Sequence, residues 1–345
     1  TLRYKYEAPK LDPVVFAEAK TFAEMSHRGK AVARAAAELR DKRGYKPDLI
    51  FGHIGWGETL FIKDVFPDAR LLTYAEFCYR ARGLDTGFDP EFTRDNLLAD
   101  VHVTARTAHL ILAMSQADKA LAPTRWQAST FPDHLQSRIS VIHDGVDCAA
   151  LTPDANASVT LEGRTFRAGD EVLTFVNRNL EPYRGYHIFM RALPEVLKAR
   201  PDAQVVIVGG DGVSYGPRPQ GDKSWKDKFL DEVRGDLDLS RVHFVGRVPY
   251  DAFVNLMQVS RAHAYLTYPF VLSWSMLEAM ACGALIVGSS TAPVTEVIRH
   301  NENGVLVDFF DVAGWSNALI DALANPEKYA PLRAAARATI TAGYD

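Results

Sequence analysis

The feature that most constrains this chain is an alternation that runs twice. Short runs rich in Val, Ile and Leu are each followed by a longer stretch with helical spacing. Strands that are apolar on both sides of the pleat suit a buried parallel sheet, and the helical stretches between them supply the crossovers. The first series predicts strands over 48–53 (DLIFGH), 70–77 (RLLTYAEF), 119–123 (KALAP) and 139–145 (ISVIHDG). Helices are expected over 13–43 and 93–116, with another starting near Thr124. The second series predicts strands over 171–177, 203–210, 242–246, 262–269 and 284–290. Its helices fall near 187–200, 224–237, 249–260, 273–282 and 312–325, with a last one after Pro326. Between the series, 148–170 is polar and holds Pro153, Gly163 and Gly169, so it reads as a linker with a small hairpin. The expectation is an α/β chain of two Rossmann-like doubly wound domains facing a cleft, residues 1–148 and 149–345.

The 345 residues suit about two domains, and 47% hydrophobic with 24% charged residues is an ordinary globular balance. A formal net charge of −4 offers no basic field for nucleic acid. The first forty-odd residues are mildly basic, but acids are interspersed, and a solvated helix face is preferred there to a membrane-surface patch. Cys78, Cys148 and Cys282 are three in number and far apart, which argues for free thiols in a reducing compartment and against a disulfide framework or zinc site. No run approaches the roughly 18 apolar residues of a membrane span, and no signal peptide is read at the start.

In open parallel sheets ligands bind beyond the carboxyl ends of the strands, so the residues following each strand are the candidates. After 171–177 come Arg178 and, six residues on, Arg184 before Gly185. Two guanidinium groups in a loop that enters a helix can converge on one phosphate; they can equally be two surface arginines. The glycines at the end of 203–210 and just beyond it, Gly210 among them, permit close backbone approach or simply a turn. Arg247 and Val248 follow 242–246, in a loop on which a base could stack or which merely leads into a helix. Ser273 is a credible N-cap for the next helix, and the backbone from Val271 through Leu272 to Ser273 would present N–H groups to an anion. Glu278 sits in an otherwise apolar run, where a carboxylate needs a partner. It could accept from the paired hydroxyls of a ribose, or it could be paired inside the core. Arginines, a helix start and a ribose-type Glu in one domain fit a nucleoside diphosphate. No GxxxxGK[ST] occurs, which disfavours a P-loop NTPase.

The segments LAPTRWQASTFP, RISVIHDGVD, NRNLEPYRGYH, VVIVGGDG, VHFVGRVPYDAF, LEAMACGALIVGSSTAPVTEVI and NGVLVDFFD occur in that order. Together they resemble the retaining glycosyltransferases of family 4, whose two-Rossmann-domain architecture is called GT-B. The resemblance implies an acceptor-side first domain and a nucleotide-sugar-binding second domain. It implies transfer of a sugar, with retention, from a nucleotide diphosphate sugar to a hydroxyl of a glycan or glycolipid in the cell envelope. No Asp-x-Asp motif stands where a metal would be needed, so arginines are expected to replace a cation and the transfer to be metal-independent. No cofactor is implied beyond that co-substrate. The protein would be cytoplasmic, in peripheral contact with the inner membrane face where the acceptor is a lipid. A nucleotide-sugar epimerase or hydrolase of the same fold, or a non-catalytic nucleotide-sugar binder, are the alternatives.

By the same resemblance, Arg178 and Arg184 stand where the family binds diphosphate, and Glu278 matches the second Glu of its Glu–seven residues–Glu motif. The first Glu of that motif would fall at Phe270, which puts recognition of the donor sugar in question. The family's first strand–helix units are not found in the opening TLRYKYEAP, so the first domain is expected to be incomplete. Where the family often has a His near the reacting centre, this chain has Ala75 beside Glu76. Glu76, then His53, are the favoured catalytic candidates, with His143 third; each is also readable as a hydrogen-bonded strand-end residue.

Overall fold

The computed structural model describes Glu7, residues 17–93 and residues 96–345. The opening TLRYKYEAP, apart from Glu7, and the expected helical residues 13–16, 94 and 95 lie outside them. The chain divides into two compact units, Thr1–His143 with Pro269–Val271, and Asp144–Tyr268 with Leu272–Asp345. The division precedes the expected boundary at 148. Val146 and Cys148 are buried in the core of the second unit, and the Val146 N–H donates to the carbonyl of Tyr344. The start of the expected linker is therefore packed structure.

The first unit holds a parallel sheet in the order β1 (Leu49–His53), β2 (Arg70–Tyr74), β3 (Lys119–Ala122), β4 (Ile139–Val141). Helix α1 (Ala17–Arg43) lays Val32, Ala33, Ala36 and Ala37 against Ile50 and Leu71, the spacing of one helical face. The long helix expected up to residue 116 is two, α2 (Leu97–Ala105) and α3 (Ala108–Gln116). The hydroxyl of Thr107, at the break, donates to the carbonyl of Thr104 and competes with the helical ladder.

The second unit holds a six-stranded parallel sheet and a hairpin. The hairpin pairs β5 (Ser158–Leu161) with β6 (Arg164–Arg167) and buries Val159 and Phe166. The sheet strands are β7 (Val172–Asn179), β8 (Gln204–Gly210), β9 (Val242–Gly246), β10 (Ala262–Tyr265), β11 (Leu285–Ser289) and β12 (Val305–Val307). Their spatial order is β12-β11-β10-β7-β8-β9, so the winding reverses between β7 and β10. That reversal opens a crevice beyond the strand ends. Three-residue β12 is too short to show as a periodic run. Around the sheet, α4 (Tyr186–Ala199) follows β7, α5 (Tyr250–Val259) follows β9 and α6 (Trp274–Ala281) follows β10. All three cysteines are buried free thiols, and burial pushes Cys78 up to about 11 and Cys282 up to about 12. Among the described residues, no helix is long and apolar enough to cross a membrane.

Candidate functional site

A pocket of ≈ 840 Å³ opens at the reversal point of the second sheet. Val176, Asn177 and Arg178 line it from the end of β7, Val208 from β8, and Arg247 and Val248 from the loop after β9. Tyr250 and Phe253 of α5 and Ser273, Ser275 and Glu278 at α6 complete it. Apolar Val176, Val208, Val248 and Phe253 therefore stand beside two cations and one acid.

Arg178 and Arg247 are exposed, and no hydrogen bond or ion pair to another described residue engages either guanidinium. A Cβ on Gly210 would stand 3.4 Å from Arg247 Nε and 2.8 Å from Asn179 Oδ1, so the bare backbone there leaves Arg247 its place at the tip of β8. Arg184 does not join them, contrary to the expected convergence with Arg178. It is 5% exposed, it donates to Thr267 Oγ1 at 2.8 Å, and its guanidinium lies 5.2 Å from the Tyr215 ring centre. Gly185 takes φ +67°, and a side chain there would run into Leu266, so the turn seats Arg184 inward.

The partner of Glu278 is Tyr250, whose hydroxyl donates to Glu278 Oε1 at 2.8 Å. Burial raises the Glu278 carboxyl above its ordinary value, with the Tyr250 hydrogen bond opposing. The Tyr250 hydroxyl is itself raised, by burial first and then by its bond to the carboxylate. Tyr250 carries no signal in the sequence beyond its place just after a strand end.

The start of α6 is more self-contained than expected. Ser273 caps it, its hydroxyl accepting from the Ser275 N–H, while the Ser273 N–H donates to the Tyr265 hydroxyl at 2.7 Å. Val271 and Leu272 are buried and do not line the pocket. The side chains that the start of α6 offers the pocket are the Ser273 and Ser275 hydroxyls and Glu278, while the Ser273 and Ser275 amides are engaged by Tyr265 and by the cap.

In the first unit, the parallel register sets His53 level with Tyr74, and Glu76 follows two residues on. His53 Nε2 and Glu76 Oε2 are 3.3 Å apart. The Gly55 N–H donates to His53 Nδ1, so a neutral imidazole carries its proton on Nε2, pointed at the carboxylate. Trp56 stacks on the imidazole at 4.6 Å and 16°. The two favoured candidates thus form one pair at the strand ends. His143 closes the first unit after β4, and Ala75 is fully buried, its N–H donating to the carbonyl of Leu121.

The model of the "Glycosyl transferases group 1" family matches residues 161–339, more than half of the chain. The chain belongs to this family. A second model, "Glycosyl transferase family 4 group", matches residues 1–151. The chain is 30% identical over 220 residues to the D-inositol 3-phosphate glycosyltransferase of Mycolicibacterium vanbaalenii, covering 60% of this chain and 46% of that protein. With the protein of the same name from Rhodococcus jostii it shares 26% identity over 233 residues, 65% of this chain and 48% of that one. It thus spans about half the length of the curated relatives it matches. Among solved structures, Anabaena Alr3699/HepE in complex with UDP and glucose superposes with a TM-score of 0.62 at 18% identity, over 92% of this chain and 78% of that one. Sucrose-phosphate synthase from Thermosynechococcus elongatus gives 0.68 at 17%, over 97% and 78%. The fold is that of the GT-B glycosyltransferases, two α/β units each built on a parallel sheet.

Within this family frame, Phe270 is a departure that the structure accounts for locally. Its ring packs on Phe77 at 4.8 Å and on Tyr79 at 6.3 Å, and its carbonyl accepts from Trp126 Nε1 at 3.0 Å. A carboxylate in that apolar seat would lack a partner of the kind its burial requires.

Proposed function

We propose that this chain transfers a sugar from a nucleotide diphosphate sugar to an acceptor hydroxyl, with retention of configuration and without a metal ion. The observation that carries the proposal is the pair of disengaged guanidinium groups, Arg178 and Arg247, sharing one pocket with Glu278 and Tyr250. The diphosphate lies on the two arginines, the ribose hydroxyls on the Glu278 carboxylate, and the base against Val248 and Tyr250. UDP, the ligand named for the Anabaena HepE structure, is the first nucleotide to test.

In the transfer, the bond between the anomeric carbon and the diphosphate oxygen breaks as the acceptor oxygen approaches on the same face. Positive charge develops on the sugar ring and negative charge on the leaving diphosphate, where the guanidinium groups stabilise it. A new bond joins the acceptor oxygen to the anomeric carbon, and the acceptor proton passes to the departing diphosphate oxygen. His53 and Glu76 hold the acceptor hydroxyl. The acceptor is a glycan or glycolipid of the cell envelope, met at the cytoplasmic side of the membrane.

Replacing Arg178 with Ala is expected to lower kcat by about 10²–10³-fold, as loss of one transition-state donor does elsewhere. Unchanged turnover in a coupled UDP-release assay would remove the assignment. Phe270 in place of a carboxylate favours one rival, a nucleotide-sugar binder that does not transfer. That rival predicts UDP binding with no glycoside product under any acceptor.

A further inference from the structure

We propose that the carboxyl tips of β1 and β2 form an acceptor subsite for a neutral pyranose ring, with Trp56 as its platform and the His53–Glu76 pair as its hydroxyl grip. The inference rests on the transferase reading above and narrows its acceptor to an uncharged sugar.

Trp56 is the starting observation. It follows β1 directly, is 55% exposed, and its indole N–H donates to no described residue. Its exposed face offers a flat apolar surface with a polar N–H at its edge, at the strand ends where ligands of open parallel sheets bind. The plane is also rigid. One face lies on His53 at 4.6 Å, and His53 is held by the Gly55 N–H on Nδ1 and by Glu76 on Nε2. Glu76 is anchored in turn through its backbone, whose carbonyl accepts from Nε2 of buried Gln127 at 2.8 Å. Nothing has to be ordered when a ligand arrives, so little affinity is lost to that cost.

The chemistry selects the ligand class. A pyranose has an apolar C–H face that suits an indole plane and an edge of hydroxyls that suits a carboxylate and a ring N–H. An aliphatic lipid would leave the Glu76 carboxylate facing hydrocarbon, which costs its desolvation. A phosphorylated polyol would bring a second negative charge to that carboxylate, and no Lys or Arg among the described residues forms an ion pair with Glu76 to offset it.

Saturation-transfer NMR on the full chain with UDP present tests this, using the methyl glycosides of glucose, mannose and galactose as neutral probes and myo-inositol 1-phosphate as the charged one. The expected result is contact to the C–H face of at least one methyl glycoside and a weaker response from inositol phosphate. Trp56→Ala should weaken that glycoside about tenfold and Trp56→Phe less, consistent with the strength of ring stacking. Glu76→Gln should narrow the margin against inositol phosphate. UDP calorimetry on each variant separates the two claims: intact UDP binding shows a folded protein with its donor pocket, whereas absent UDP binding in the unaltered chain indicts the donor assignment instead. Should Trp56→Ala not fold, Trp56→Phe decides. The subsite is overturned if no methyl glycoside binds, if glycoside binding is indifferent to Trp56 replacement, or if inositol phosphate is the stronger ligand.

Discussion

Glu278 is a carboxylate kept half-buried with the Tyr250 hydroxyl as its hydrogen-bond donor, and its ionisation carries a stability cost. Its folded value is raised above the ordinary 4.5, first by burial. As pH rises through 4.5 the unfolded chain ionises first, so the folded state binds more protons and stability falls until the raised value is passed. Glu278→Gln lacks that loss. Its Tm relative to the unaltered protein should climb as pH rises through the window and then level off, while its UDP affinity drops. A Tm difference independent of pH would mean that the carboxylate is not desolvated. At this scale the sequence was informative where chemistry is unusual. A lone acid in an apolar run and an arginine just past a strand both stood out. Arg184 misled because spacing along a chain does not report inward rotation, which a positive-φ glycine and the contacts with Thr267 and Tyr215 supply.

At the scale of elements, the turn between β7 and α4 depends on Gly185. Its φ of +67° and a built Cβ 2.3 Å from Leu266 Cβ leave no room for alanine. Gly185→Ala should destabilise the protein by about 2–4 kcal/mol in urea unfolding, from left-handed strain plus overpacking. A cost near zero would show that the turn relaxes freely. The long strands were legible as continuous apolar runs, and most of the helices as the stretches of helical spacing between them. The division of 93–116 into α2 and α3 was not, since the break at Arg106 and Thr107 contains neither Gly nor Pro. The pairing of His53 with Glu76 was equally hidden. Both residues were visible as strand-end candidates, but only the β1–β2 register brings them to one place.

For the molecule as a whole, the two units divide the chemistry. Every residue lining the pocket proposed for the nucleotide belongs to the second unit, and the His53–Glu76–Trp56 group belongs to the first. Substitutions in one should therefore leave the ligand of the other in place. The doubly wound class was readable from the repeated alternation, whereas the assignment of Pro269–Val271 to the first unit was not. That segment lies between β10 and α6 of the second sheet, and only the packing of Phe270 on Phe77 and Tyr79 reveals where it belongs. Calorimetric titration of UDP into the unaltered chain, Arg178→Ala/Arg247→Ala and His53→Ala tests the donor pocket most directly. One UDP should bind per chain, with affinity reduced at least about tenfold by the double arginine replacement and unchanged by His53→Ala. Binding that survives the loss of both arginines, or none in the unaltered chain with UDP, GDP or ADP, would contradict it.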